Sequence, residues 1–247
     1  MQLLTQHATS RGGRRTNEDA LQEITGEDWQ LLVLADGLGG HGDGDLAAQQ
    51  CVDTIAGAFA RQPGLSDALL QGLVDEADAA VAALRRERRG SASSMRTTLA
   101  LLAVFGNEAR WAHVGDTRVY WFRGKTLMQR TRDHSVAELV MSLPEGSPVG
   151  APDESDQNRL LRALGGGKGC RAELGAAVTL QADDAFLLCS DGVWRLVPDQ
   201  EITTCLSESA TPLDWCIALE QRLQHRIRCS PLEEHDNYSM ISGMVVS

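Results

Sequence analysis

The chain has 247 residues, a hydrophobic fraction of 43% and a formal net charge of -11. That length and composition provide for a sizeable core and exclude a disordered chain. The acidic balance weighs against non-specific nucleic-acid binding and against docking on anionic lipid, and it suits the collection of divalent cations.

The opening stretch, MQLLTQHATSRGGRR, lacks the basic start and apolar core of a secretory signal. No apolar run approaches the ~20 residues of a membrane span. The six cysteines form no CxxC pair, and Cys189 lies inside an apolar run. These features predict a reduced, cytoplasmic protein with no interaction with nucleic acid or membrane. LLVLA at 31–35 reads as a buried strand that ends in a loop at Asp36-Gly37. Helical patterns follow at 45–61 and 66–89, the second with Ser66 as N-cap and Leu69, Leu70, Leu73, Val74, Ala77 and Val81 as its apolar stripe.

Short strands are predicted at 97–105, 110–115, 118–122 and 126–130, joined by tight turns as an antiparallel meander. Residues 142–170 hold three of the seven prolines and form the best loop candidate, around a short helical piece near 158–164. AFLLCS at 185–190 is a strand that breaks at Asp191-Gly192. Residues 198–206 and 212–228 look helical, and SMISGMVVS closes the chain as a strand. Strands in runs and helices in pairs predict an α+β fold with antiparallel sheets. The whole of 1–247 is expected to be a single domain with nothing appended.

Three acids mark strand ends. Asp36 follows LLVLA, Asp191 follows AFLLCS, and Asp236 precedes the last strand. A sheet can aim such acids at one point, and convergence would require a cation to offset their repulsion. Oxygen ligands with open water positions suit Mg²⁺ or Mn²⁺. Asp-Gly and Asp-Asn pairs are also ordinary turn formers, and each taken singly carries that reading. DGLGGHGDGD at 36–45 has five glycines, which allow backbone to approach a ligand closely, but no GK[ST] follows to make a P-loop. RGGRRTNED at 11–19 sets arginines, suited to bidentate phosphate contact, ahead of an acidic pair.

Taken together the segments are specific. RRTNED at 14–19, ADGLGGH at 35–41, TTL at 97–99, HVGDTR at 113–118, RDHS at 132–135, SDGVW at 190–194 and HDNYS at 235–239 occur in the order of the metal-dependent PP2C-like (PPM) protein serine/threonine phosphatases, which the chain resembles. The resemblance implies two antiparallel β-sheets packed as a sandwich and flanked by pairs of helices. It implies hydrolysis of phosphoserine and phosphothreonine by a water activated at two Mn²⁺ or Mg²⁺ ions. By the same resemblance Asp36 bridges the ions, the Gly37 carbonyl ligates one, Asp191 and Asp236 complete the first, and Glu18 and Asp19 hold the second largely through water. Asp116 serves a possible third, weaker ion. Arg14 grips the substrate phosphate, and His41 is the candidate acid for the leaving oxygen.

The implied partners are phosphorylated proteins and a cognate Ser/Thr kinase, and a monomer is expected. Departures from the family pattern are Leu38 for Met, Arg96 for Gly before the threonine pair, His113 for Asn, and a short acidic PEGSPVGAPDESD where bacterial members carry a longer flap. A catalytically dead binding module, and a two-metal nuclease or small-molecule phosphatase, are the competing readings. The intact aspartate set opposes the first and the negative charge opposes the nuclease.

Overall fold

The computed structural model describes residues 1–39, 43–88, 94–144, 156, 159–229 and 235–246. The strands are β1 (Gln2–Ser10), β2 (Asp19–Thr25), β3 (Trp29–Leu38), β4 (Arg96–Thr97), β5 (Leu99–Phe105), β6 (Glu108–Val114), β7 (Arg118–Arg123), β8 (Thr126–Arg130), β9 (Glu173–Leu174), β10 (Val178–Thr179), β11 (Asp184–Cys189) and β12 (Tyr238–Val246). The helices are α1 (Gly44–Arg61), α2 (Asp67–Glu87), α3 (Val136–Met141), α4 (Asp191–Trp194), α5 (Asp199–Ser207) and α6 (Pro212–Cys229). One sheet has the order β1-β12-β11-β7-β8 and the other β10-β6-β5-β3-β2, with β4 on β3 and β9 on β6.

Side-chain alternation explains the layers. In β3, Leu31, Val33 and Ala35 pack on α1 and α2, while Leu32 and Leu34 face the other sheet. Strand β5 divides the same way, with Leu101 toward the helices and Leu102 inward. In β11, Phe186 and Leu188 face inward, and Leu187 and Cys189 pack on the layer that holds Ile202 of α5 and Trp215 of α6. A strand covered on both faces must be apolar throughout, which is why these segments read as unbroken runs. The result is a sheet-on-sheet α+β sandwich with a helix pair outside each sheet, as the resemblance implied.

Three local expectations change. Strand β3 does not break at Asp36-Gly37 but continues to Leu38, because β4 pairs with Gly37 and Leu38. The strands from 97 to 130 are not one meander. Strands β5 and β6 pair in one sheet, β7 and β8 in the other, and the chain crosses between sheets at 115–117. Within the piece expected to be helical near 158–164, residue 158 lies outside the described residues. Leu160 and Leu164 are in bridges to Ser135 and Thr97, so this stretch is extended. Helix α3 and the edge strands β1 and β2 escape the hydrophobic pattern because each buries little on its outer side. Helix α3 does carry a signal in S-x-x-E, since Ser135 Oγ accepts from Glu138 N–H at 3.2 Å.

Candidate active site

Strand ends from both sheets meet at one rim of the sandwich. Asp36 lies near the end of β3, and Asp19, the first residue of β2, sits opposite it in register. Asp191 follows β11 and Asp236 precedes the neighbouring β12. The crossing from β6 to β7 delivers Asp116. A cleft of about 820 Å³ is lined by Asp36, Gly37, Asp116, Asp191 and Asp236, together with Glu18, Arg14 and Arg195. Every predicted site residue among the described ones except Asp19 therefore lines this cleft. Asp19 lies behind the lining, where its Oδ2 accepts from Ser190 Oγ at 2.9 Å. His41 falls outside the described residues.

Backbone clamps hold the acids. Thr97 Oγ1 donates to the Asp36 carbonyl at 2.9 Å, and Asp36 N–H donates to Thr98 Oγ1 at 2.9 Å. Thr98 Oγ1 lies 2.5 Å from Thr117 Oγ1, which ties the sheet crossing to the same point. Asn237 staples the N-terminal segment: its Nδ2 donates to the carbonyls of Arg11 and Thr16, each at 2.9 Å, and its Oδ1 accepts from Glu18 N–H at 2.8 Å. The sequence motifs contain these residues, but their positioning roles emerge only from the contacts. The two Asp-Gly pairs are more than turn formers. A Cβ on Gly37 would stand 2.1 Å from the Gly44 carbonyl oxygen, and one on Gly192 would stand 2.0 Å from that of Asn237. Each glycine lets a second segment press against the acid beside it.

Arg14 forks onto Asp236, with Nε to Oδ1 and Nη2 to Oδ2 both at 3.2 Å. Arg195, which the sequence reading passed over, places Nη2 2.9 Å from Asp191 Oδ2. Its i,i+4 spacing from Asp191 was the available signal.

The acids remain crowded. Burial raises the Asp36 carboxyl well above the usual carboxylate range, and Asp19, Asp191, Asp116 and Asp236 add repulsion. Burial pushes Asp19 to about 7, against the hydrogen bonds of Ser239 and Ser190. Burial also pushes Asp116 to about 7, with Asp191 and Asp133 adding to it and Arg195 opposing. Asp191 is raised by burial despite Arg195, and Glu18 by burial and then by Asp45. Asp19 Oδ1 is buried without a hydrogen-bond partner. Hard oxygen donors, a surplus of negative charge and an orphaned carboxylate oxygen fit a divalent cation.

These shifts predict how the metal-free protein responds to pH. A carboxyl whose folded pKa exceeds its unfolded one binds more protons when folded, so stability falls as pH rises. The contributions of Asp19 and Asp116 are complete below about pH 4 and lost as pH passes about 7. After chelation the melting temperature should fall by about 5–10 °C between pH 5 and pH 8. Calorimetry that showed a rise over this range would mean the acids are already balanced within the protein.

His113, His134 and Glu173 also bring possible ligand atoms within 4.8 Å of one another. The imidazoles, however, stack at 4.6 Å and 19°, and near-parallel rings do not aim two lone pairs at one ion. His134 Nδ1 accepts from Gly115 N–H, which leaves the hydrogen on Nε2 of the neutral ring. Burial, then His113, pushes His134 down to about 4, so the pair is neutral packing.

Comparison with known proteins agrees with this geometry. The protein phosphatase 2C family profile matches residues 8–227. The serine/threonine phosphatase stp of Listeria monocytogenes serotype 4b is 32% identical over 210 residues, covering 82% of each chain. The serine/threonine protein phosphatase PstP of Mycobacterium tuberculosis is 32% identical over 198 residues, 78% of this chain and 36% of that longer protein. The solved PstP catalytic domain, in complex with two manganese ions, superposes with a TM-score of 0.81 at 27% identity and 99% coverage of both chains. The chain belongs to the protein phosphatase 2C family and is a protein serine/threonine phosphatase.

Proposed function

We propose that residues 1–247 act as one catalytic domain that hydrolyses phosphoserine and phosphothreonine in proteins at a centre of two Mn²⁺ or Mg²⁺ ions. The observation that carries this reading is the crowding of Asp36 by Asp19, Asp191, Asp116 and Asp236, beside an unpartnered Asp19 Oδ1. Asp36, the Gly37 carbonyl, Asp191, Asp236, Glu18 and Asp19 would hold the ions, Glu18 and Asp19 largely through bound water. When bound, the ions supply a water of lowered pKa and neutralise charge on the transferred phosphoryl group. Thr97 and Thr98 hold Asp36 by its backbone and so fix the point from which its carboxylate reaches the cleft. His41 protonates the leaving oxygen.

Asp116, expected to serve a third, weaker ion, has Arg195 Nη2 3.8 Å from its Oδ2. Mn²⁺ is placed ahead of Mg²⁺ on the strength of PstP, whose solved catalytic domain holds manganese. No helix among the described residues is long and apolar enough to cross a membrane. A cytoplasmic monomer that opposes a Ser/Thr kinase is the setting proposed.

Arg14 tests the phosphate grip. It lines the cleft at its fork on Asp236, and a phosphate with free oxygens competes for the same two-point geometry. On a phosphothreonine peptide, Arg14→Ala should raise KM about three- to tenfold with a comparable or smaller fall in kcat. Arg14→Lys should restore only part of the loss, since an ammonium makes no planar fork. Mn²⁺ affinity should hardly change, because an ion pair with both side chains nearly half exposed contributes about 0–1 kcal/mol. Arg15→Ala is the control. An Arg14→Ala defect confined to Mn²⁺ affinity would reduce Arg14 to a support for Asp236.

A further inference from the structure

Asp191 opens the single helical turn α4, and the side chain one turn later, Arg195, folds back over the same face. Its Nη2 stands 2.9 Å from Asp191 Oδ2 and 3.8 Å from Asp116 Oδ2. The second distance is set by Trp194. Its indole Nε1 donates to the backbone carbonyl of Asp116 at 2.9 Å and so docks α4 on the crossing between β6 and β7. The indole is packed in turn, with Arg118 Cζ 3.6 Å from the ring centroid and Arg195 Cζ at 5.4 Å. Arg118 is fixed by a two-point pair with Asp133 at 2.8 and 2.7 Å. The guanidinium between the two carboxylates thus stands on a buttressed indole.

We infer that Arg195 takes the place of the third ion at Asp116, so that this phosphatase works with two divalent cations and one built-in guanidinium. This rests on the two-ion reading proposed above. Mn²⁺ or Mg²⁺ needs oxygen ligands at roughly 2.1 Å and keeps several of its waters. A guanidinium nitrogen bonded to Asp191 at 2.9 Å and standing 3.8 Å from Asp116 takes up that volume and repels a further cation. It also differs in kind from a weakly held ion. Guanidinium does not lose its proton, so the charge opposite Asp116 is present at every metal concentration and every working pH. It carries no exchangeable water, so this corner of the cleft offers the substrate a fixed hydrogen-bond donor and no second source of hydroxide.

The test counts ions. Chelated wild-type protein, titrated with Mn²⁺ alone and followed by calorimetry and by the electron paramagnetic resonance of free Mn²⁺, should bind two. Arg195→Ala and the length-preserving Arg195→Gln, each checked for folding by circular dichroism, should bind a third and weaker ion. Adding Asp116→Asn to either variant should remove that ion again. Asp116→Asn in the wild-type background should leave the count at two. Three ions on the wild type, a loss on Asp116→Asn alone, or two ions on a folded Arg195 variant would overturn the inference and leave the two-ion reading intact. Fewer than two ions on the wild type would overturn that reading and this inference with it. The wild-type and Asp116→Asn counts keep the inference open to refutation even without the Arg195 variants.

Discussion

Asp36→Asn is expected to lower kcat on a phosphothreonine peptide by at least about a thousandfold, at the upper end of what loss of one preorganised electrostatic group removes. Asparagine keeps the shape and one acceptor oxygen but takes away the charge that would be shared between two cations. Asp191→Asn and Asp236→Asn, each proposed to serve one ion, should cost at least about a hundredfold. The same substitution has an opposite effect on stability. Burial and four neighbouring carboxyls oppose ionisation of Asp36, so in metal-free protein at neutral pH the neutral asparagine removes a strain. Metal-free Asp36→Asn should therefore melt higher than metal-free wild type, and saturating Mn²⁺ should raise its melting temperature less. A folded Asp36→Asn enzyme with near wild-type turnover would refute the assignment of Asp36 as the bridging ligand. A variant that melts lower without metal would show that Asp36 is held by contacts other than those described.

Chelation should abolish hydrolysis of p-nitrophenyl phosphate, and added Mn²⁺ should restore it. The expected loss is complete, because no other described group in the cleft supplies a nucleophile of the needed strength. Thiol chemistry is separated by a second arm. Cys51, Cys189, Cys205 and Cys216 are buried, and no cysteine is among the described residues that line the cleft. Burial pushes the Cys216 thiol up to about 12, far from the thiolate a nucleophile needs. Brief alkylation of the exposed Cys229 should leave turnover unchanged. Full activity after exhaustive chelation would end the two-ion mechanism, whereas loss of activity on alkylating Cys229 in a folded protein would point to a thiol.

Sequence alone determined the buried strands and the terminal acids of the site. Residues 31–35, 99–104 and 185–189 are apolar throughout because each is covered on both faces, and that pattern needs no knowledge of partners. Asp36 and Asp191 were legible because each adjoins or nearly adjoins such a run, Asp236 because it precedes the closing strand, and the order of the motifs carried the family. What only the tertiary structure decided depends on residues distant in the chain. The fork of Arg14 onto Asp236 joins positions 222 apart, and the hold of Thr98 on Asp36 joins positions 62 apart. The crossing at 115–117 puts Asp116 at the rim, and a strand pattern of period two cannot say which of two sheets the next strand enters. Edge strands β1 and β2 were invisible for a related reason. An edge strand with a solvated face carries no continuous apolar run, and its position is set by its neighbour's free hydrogen-bonding groups rather than by its own side chains. Arg195 shows the same division: its spacing from Asp191 is written in the sequence, but its approach to Asp116 exists only because Trp194 docks one segment on the other.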